Sequence, residues 1–148
     1  MKSLIIYESV CHGNTEKIAK AMSESLNADL IKINQVTEKY LMNYDLIGFG
    51  SGIFYGKLHK NVLGLIDKLP NVSNKKAFVF STSGQGKIEF NNIVKQNLSE
   101  KGFEVIGSFA CKGYDTFGPF KLIGGIAKNR PDDNDIKMAK NFVEKLTL

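Results

Sequence analysis

A chain of 148 residues with 43% hydrophobic side chains has material for one hydrophobic core, so we expect a single domain spanning residues 1–148. Its net charge of +5 comes from lysines spread along the sequence, without the basic, aromatic-rich clusters of nucleic-acid-binding proteins, so no nucleic acid partner is expected. No apolar run approaches the roughly 18 residues that a membrane span needs, which argues against a membrane protein.

Apolar runs alternate with segments of helical period along the chain, a pattern typical of a parallel α/β protein. The predicted strands cover residues 3–7, 29–33, 45–49, 77–81 and 104–110. They are rich in Leu, Ile, Val and Phe, as expected for a sheet covered by helices on both faces. Apolar residues at helical spacing form four further faces: Ile18, Met22 and Leu26; Val62, Ile66 and Leu69; Phe90, Ile93, Val94 and Leu98; Ile136, Ala139, Val143 and Leu146.

Two segments between these elements carry further information. Residues 34–44 show only a partial helical pattern, so we expect no full helix there. Pro131 suits the first turn of the last helix, and the acidic residues at 132, 133 and 135 complement the positive end of its dipole. Right-handed crossovers would bring every loop that follows a strand to the carboxyl edge of the sheet, where such proteins bind ligands.

The first of these loops, residues 9–15, joins the first strand directly to an amphipathic helix that begins near Asn14. The N–H groups of a first helical turn lack intrahelical partners and carry partial positive charge, so they suit an anion. Ser9, Asn14 and Thr15 add side-chain donors, and Gly13 lets the backbone approach the anion closely. The loop lacks the lysine of a triphosphate-binding loop, which favours a monophosphate.

The sequence His12-Gly13-Asn14-Thr15 resembles the T-G-N-T that ends this loop in flavodoxins, and the chain resembles a short-chain flavodoxin over essentially its whole length. The resemblance implies a three-layer α/β/α sandwich with a five-stranded parallel sheet in the order 2-1-3-4-5. It also implies FMN as the cofactor, with Cys11 and His12 completing the phosphate loop. His12 replaces a threonine of the family pattern, and the loop after Tyr7 is one residue longer than usual.

The neighbours Cys11 and His12 leave open a second interpretation, a thiolate nucleophile activated by an imidazole. It is less favoured because adjacent residues rarely face each other and no third orienting group is recognisable. The two cysteines, Cys11 and Cys111, have neither metal-ligand spacing nor a disulfide pattern, and no metal spacing surrounds His12 or His59. With no recognisable secretory leader before the first strand, we expect a protein of the reducing cytoplasm that binds no metal.

Residues 50–57, after the third strand, are too rich in glycine for a strand and too apolar for an ordinary solvated loop. We interpret them as a flexible clamp that carries aromatic rings. In flavodoxins the corresponding loop covers one face of the isoalloxazine, a role that the resemblance gives to Tyr55 or Phe54. Tyr55 is the better candidate, since Phe54 could equally fill the core. The other predicted binding residues in this loop are Ser51, Gly52 and Gly56.

Residues 81–87, after the fourth strand, offer hydroxyls and backbone N–H groups that suit the carbonyl and ring-nitrogen edge of a flavin. They could also cap the helix that starts near Ile88. The predicted binding residues in this loop are Ser81, Thr82, Ser83, Gly84 and Gly86. The loop after the fifth strand, residues 111–118, is long for a connection, and we expect it to form a wall of the pocket or a docking surface.

A bound flavin would carry the redox chemistry, and the sequence shows no carboxylate pair, triad or metal cluster near the predicted cleft. We therefore expect no catalytic residue and predict a one-electron carrier between redox partner proteins. The alternative is a flavodoxin-like NAD(P)H or quinone oxidoreductase, including the menaquinone-dependent protoporphyrinogen oxidase type. A flavin-free receiver domain is a third interpretation, but it needs clustered acidic residues, and only Glu8 is suitably placed after the first strand.

The basic charge distinguishes the chain from flavodoxins, which are usually acidic. Lys57, Lys87 and Lys112 lie in the predicted pocket loops, so we expect a less strongly reducing carrier than the acidic flavodoxins. A basic surface would also favour redox partners with acidic docking surfaces.

Overall fold

Strands and helices alternate along the chain, as the sequence pattern predicts. A computed structural model describes residues 1–10, 12–116 and 118–147. The strands are β1 (Ser3–Glu8), β2 (Asp29–Lys32), β3 (Leu46–Phe54), β4 (Lys57–Leu58), β5 (Lys76–Ser83) and β6 (Glu104–Lys112). The helices are α1 (Asn14–Leu26), α2 (Glu38–Leu41), α3 (Lys60–Lys68), α4 (Asn92–Glu100) and α5 (Asp133–Leu146). Short 3₁₀ segments cover Ile33–Gln35, Ile88–Asn91 and Gly118–Ile123.

Five strands lie side by side in the order β2-β1-β3-β5-β6, and each neighbouring pair is parallel. The predicted order 2-1-3-4-5 is confirmed, because β4 lies off this path as a two-residue antiparallel partner of β3. All strands of the parallel sheet therefore end at the same edge. The loops after β1, β3, β5 and β6 meet there, where the sequence places its predicted binding residues.

Helices cover both faces of the sheet, which confirms the two-sided burial predicted from the apolar strands. One core lies between the sheet and α1 with α5, and it includes Ile5, Ile18, Met22, Phe78, Phe80, Ala139 and Val143. The other lies between the sheet and α3 with α4, and it includes Leu4, Ile6, Phe49, Val62, Ile66, Val94 and Leu98. Successive side chains of a strand alternate between these two cores.

The central strand β3 carries glycine where its neighbour β5 carries phenylalanine. A Cβ built at Gly48 would overlap the ring of Phe78, and one built at Gly50 would overlap the ring of Phe80. Both rings are fully buried, with their centroids 6.1 Å apart. The two rings therefore fill the space that side chains of β3 would otherwise occupy, which explains the glycines in the middle of a strand.

The loop predicted over residues 50–57 is wrong in part. β3 continues through Phe54, Tyr55 and Gly56 form a two-residue turn, and β4 pairs back so that Phe54 lies opposite Lys57. Pairing with β5 extends as far as Gly52, which lies opposite Thr82. The neighbouring strand thus imposes the extended conformation despite the low strand propensity of glycine.

Two helix starts also differ from the prediction. The side chain of Asp132 caps α5, so Pro131 precedes the helix instead of lying in its first turn. A 3₁₀ segment over Ile88–Asn91 precedes α4, and Ile93 is half exposed instead of facing the core. The short segments Ile33–Gln35 and Glu38–Leu41 agree with the partial helical pattern between the second and third strands.

Replacing Gly50 with alanine tests the packing of β3 against β5. The new methyl group would overlap the Phe80 ring, so we expect the free energy of unfolding to fall by about 1–3 kcal/mol, the usual cost of overpacking. Urea unfolding followed by circular dichroism measures this change.

Gly64→Ala is the matched control, because a Cβ at this position in α3 meets no atom within 4 Å. Since alanine favours the helix, this variant should gain up to about 1 kcal/mol of stability. Equal losses in the two variants would contradict a steric origin of the effect at Gly50.

Candidate functional site

A cleft opens at the carboxyl edge of the sheet, between the loops that follow β1, β3, β5 and β6. This main cleft is open to solvent, and an adjoining side recess shares Ile53, Ser83 and Asp115 with it. The predicted residues that line the main cleft are His12, Asn14, Thr15, Gly52, Phe54, Thr82 and Ser83. Tyr55, Gly56 and Gly84 line the side recess.

The first turn of α1 faces the main cleft. Gly13 is the N-cap of this helix and has a left-handed backbone, with φ of 70°. A Cβ at Gly13 would meet no atom within 4 Å, so its positive φ, and not a lack of space, calls for glycine. The hydroxyl oxygen of Ser9 accepts the N–H of Glu16 at 3.3 Å. Ser9 thus caps the helix from outside the cleft, and Cys11 lies outside the described residues.

The side chain of Asn14 connects α1 to the loop after β6. Its Nδ2 donates to the carbonyl oxygen of Tyr114 at 2.8 Å. A Cβ at Gly113 would lie only 2.7 Å from this same Nδ2, so glycine is needed for the two segments to approach. The Asn14 amide, which the sequence suggests as an anion donor, therefore forms part of the wall of the cleft.

Two threonine hydroxyls meet at the base of the main cleft. Thr15 in α1 and Thr82 in β5 are almost fully buried, and their Oγ1 atoms lie 2.8 Å apart. Among the described residues, each of these two hydroxyls forms its side-chain hydrogen bond with the other. One hydroxyl donates to the other, which leaves the second proton for a further acceptor.

His12 packs at the mouth of the cleft. Its Nε2 lies 3.1 Å from the hydroxyl oxygen of Thr116, and its ring is tilted against that of Tyr114 with centroids 4.2 Å apart. His12 therefore contacts the loop after β6.

The hairpin of β3 and β4 forms another wall, and only part of it faces the cleft. The buried Ser51 hydroxyl donates to Gly52 and accepts the N–H of His59 at 2.9 Å, so it holds the hairpin in place. The Phe54 ring meets His59 edge-on, with centroids 5.2 Å apart, and it is half-buried instead of filling the core. Tyr55 is 88% exposed at the hairpin tip.

The loop after β5 is held by a hydrogen bond of its own and by one to the loop after β6. The Ser83 hydroxyl accepts the N–H of Gly86 at 2.8 Å, and the N–H of Gly84 donates to Asp115 at 3.3 Å. Gly86 has a positive φ of 64° and lies against Lys112 outside the cleft. Ser81 is buried within β5 and is not among the residues that line the two cavities.

The sequence does not predict several of the residues that line the two cavities: Val10, Ile53, Gln85, Phe90, Gly113, Tyr114, Asp115, Thr116 and Phe120. Most of them lie in or after the long loop that follows β6, which the sequence predicts only as a wall or a docking surface. In the sequence, the unusual length of this loop is the feature that indicates a role in the site, because its composition resembles that of ordinary connections.

A partly buried ion pair fixes the far end of this loop. The carbonyl oxygen of Arg130 accepts the N–H of Tyr114 at 2.8 Å, and its guanidinium donates two hydrogen bonds to Asp135, at 2.6 and 2.7 Å. These bonds hold the pKa of Asp135 below its usual value. Asp135 and Asp132 also form the capping box of α5. The wall of the cleft is therefore anchored to the start of the last helix.

The side chains around the cleft offer hydrogen bonding more than covalent or metal chemistry. Burial raises the pKa of the Cys111 thiol to about 12, so it stays protonated at neutral pH. Within the described parts of the chain, no three His, Cys, Asp or Glu side chains are grouped to hold a metal ion. Nor does any described helix have the length and apolar character to cross a membrane.

Comparisons with known proteins agree with this architecture. Residues 4–117 match the family model of the flavodoxin domain. An uncharacterized protein of Methanocaldococcus jannaschii is 51% identical over 148 residues, which cover 99% of this chain and 98% of the relative. The flavodoxin-like domain-containing protein BilS of Clostridioides difficile is 30% identical, over 98% of this chain and 85% of its own. The crystal structure of Fusobacterium nucleatum flavodoxin bound to flavin mononucleotide has a TM-score of 0.71 at 12% identity, covering 99% and 98% of the two chains.

Asp135→Asn tests the ion pair that anchors the wall of the cleft. The variant keeps the shape of the side chain but loses the charge that pairs with Arg130, so we expect a loss of about 1–3 kcal/mol in unfolding free energy at pH 7. Because the folded pKa of Asp135 is lowered, its contribution is present above about pH 4 and is lost as the pH falls through the folded pKa. Denaturant unfolding between pH 7 and pH 2 measures both effects.

Asp133→Asn is the control, since it removes the same charge from an exposed position in the same helical turn. It should cost only a few tenths of a kcal/mol, about the size of a helix-dipole interaction. An equal and pH-independent loss in both variants would exclude a specific role of the Arg130 pair.

Proposed function

The chain belongs to the flavodoxin family, and we propose that it binds FMN in the main cleft and carries single electrons between partner proteins. One observation carries the proposal: the N-terminus of a helix, with two buried hydroxyls beside it, opens into the same cleft as an aromatic hairpin. The first feature suits a phosphate and the second suits a flat ring system. FMN combines both groups in one molecule.

The phosphate end of the ligand would lie at α1. The N–H groups of Asn14 and Thr15 have no acceptor four residues earlier within the helix, and they carry the positive end of its dipole. The second proton of the pair formed by Thr15 and Thr82 is a further donor to a phosphate oxygen. His12 lines the same part of the cleft and adds an imidazole. This donor set fits a monophosphate.

The ring end would lie between the hairpin and the loop after β5. Phe54 lines the main cleft and Tyr55 lines the side recess, so the two rings can contact a flat heteroaromatic group. Ile53 adds apolar contact where the two cavities join. The carboxylate of Asp115 lies at the same junction and can accept the imide N–H of an isoalloxazine.

When bound, FMN would supply the electron-transfer chemistry. The residues of the chain would hold the phosphate, orient the ring and exclude water from part of it. Asp115 is the only carboxylate among the described residues that line the two cavities, so general acid–base catalysis by a carboxylate pair has no support. This composition favours a carrier over an oxidoreductase that acts on its own small-molecule substrate.

Titration with FMN and with riboflavin, followed by flavin fluorescence, tests the proposal. FMN should bind at least about 100-fold more tightly than riboflavin, because two hydrogen bonds to a charged phosphate contribute about 1.5 kcal/mol each or more. Thr15→Val keeps the shape of the side chain and removes one hydroxyl. We expect FMN affinity to fall about 10- to 100-fold in this variant, while riboflavin affinity stays nearly constant.

Each part of the proposal can fail separately. A chain that leaves FMN fluorescence unchanged would exclude the cofactor, and equal affinities for FMN and riboflavin would exclude the phosphate site at α1. If the flavin-loaded protein oxidised NAD(P)H with a quinone at about 1 s⁻¹ or faster, it would be an oxidoreductase instead of a carrier.

A further inference from the structure

We propose that residues 118–126, together with the hairpin tip, form a docking surface for a protein partner with an acidic surface around an apolar centre. We call residues 118–126 the docking loop. The inference rests on the proposed function, because a surface beside the cleft serves electron transfer only if the cleft holds a redox cofactor.

The docking loop exposes two adjacent apolar side chains. Leu122 is 89% exposed and Ile123 is 72% exposed. Phe120, two residues before Leu122, lines the side recess together with Tyr55, which is 88% exposed at the hairpin tip. Tyr55 and Phe120 therefore border the candidate cofactor site, and Leu122 and Ile123 follow Phe120 in the same loop. Grouped exposed apolar residues with polar surroundings are typical of interaction surfaces.

The backbone beneath these side chains is held by several hydrogen bonds. Asp115 and Ile126 bond to each other through both backbone N–H groups, at 2.8 and 2.9 Å, and close the base of the loop. The N–H of Gly125 donates to Phe120 at 2.7 Å. A Cβ at Gly84 would overlap the side chain of Ile126, so the loop is pressed against the sheet edge. Leu122 and Ile123 are thus presented by a supported loop.

Three lysines lie within three positions in the chain of residues that line the side recess. Lys57 follows the hairpin tip, and Lys121 lies between Phe120 and Leu122. The Nζ of Lys87 lies 6.0 Å from the ring centroid of Phe90, which lines the side recess. The three lysines are exposed, and their charge outweighs the neighbouring exposed carboxylate of Glu89. The complementary surface of the partner is therefore acidic.

An anionic lipid surface has a similar combination of charge and apolar groups, but the position of the patch favours a protein. Tyr55 and Phe120 border the recess through which electrons would have to pass. A partner that covers this recess must contain an electron donor or acceptor, which a protein with a redox centre provides.

The test compares binding of the full chain, without FMN, to immobilised cytochrome c and to the same protein with succinylated lysines. Native cytochrome c is basic and the succinylated form is acidic. We expect at least about tenfold tighter binding to the acidic form at low salt, with the preference decreasing as salt rises. Surface plasmon resonance measures the affinity for each form and its dependence on salt.

Two matched pairs of charge-reversal variants test whether the preference for acidic cytochrome c depends on the lysines near the side recess. Lys87→Glu combined with Lys121→Glu should abolish the preference for the acidic form. Lys68→Glu combined with Lys145→Glu causes the same change in net charge in the last turns of α3 and α5, at the opposite edge of the sheet, and should preserve it. Leu122→Ser combined with Ile123→Ser should weaken binding about tenfold at high salt, where screening leaves mainly the apolar contribution.

If both double lysine variants lost the preference for acidic cytochrome c equally, the preference would depend only on overall charge. That result would overturn the proposal. Unchanged high-salt binding of the Leu122/Ile123 variant would exclude the apolar centre. Binding to vesicles of phosphatidylcholine and phosphatidylglycerol that depends on Leu122 and Ile123, without preference between the cytochromes, would identify a membrane surface instead. Because these measurements need no flavin, their outcome is separate from that of the FMN titration.

Discussion

The hydrogen bond from the side chain of Asn14 to the carbonyl oxygen of Tyr114 holds the candidate site together. It joins the start of the first helix to the loop after the last strand, and the two bonded residues are 100 positions apart in the chain. β3 and β5 lie between the strands that carry these segments, so the bond spans the carboxyl edge of the sheet. Gly113 permits the close approach, and Arg130 fixes the other end of the loop.

The polar side chains around the cleft divide into two groups. Ser9, Ser51 and Ser83 each accept a backbone N–H from a nearby segment, so they shape the loops. Thr15 and Thr82 bond to each other at the base of the cleft, which leaves one hydroxyl proton for a further acceptor. A motif specifies which loop is polar, but the fold decides which hydroxyls hold the loops and which face the cleft.

Hydrophobic periodicity predicts the two-sided core, and crossover handedness predicts the edge of the sheet at which the loops meet, whereas the sheet order follows from the resemblance to flavodoxins. The sequence misses the hairpin, because pairing with β5 overrides the low strand propensity of Gly50 and Gly52. It also does not predict that the Asn14 amide bonds to the carbonyl of Tyr114, which lies 100 residues away and becomes a neighbour only through the fold.

Tyr55 is an unfavourable residue for the turn that it occupies. Both Tyr55 and Gly56 have positive φ, a combination that favours asparagine or glycine, and a bulky residue there costs about 1 kcal/mol or more. Its ring is 88% exposed, so burial in the fold offsets little of this cost. Tyr55 lines the side recess, so a residue that is costly for the turn places an aromatic group beside the candidate site.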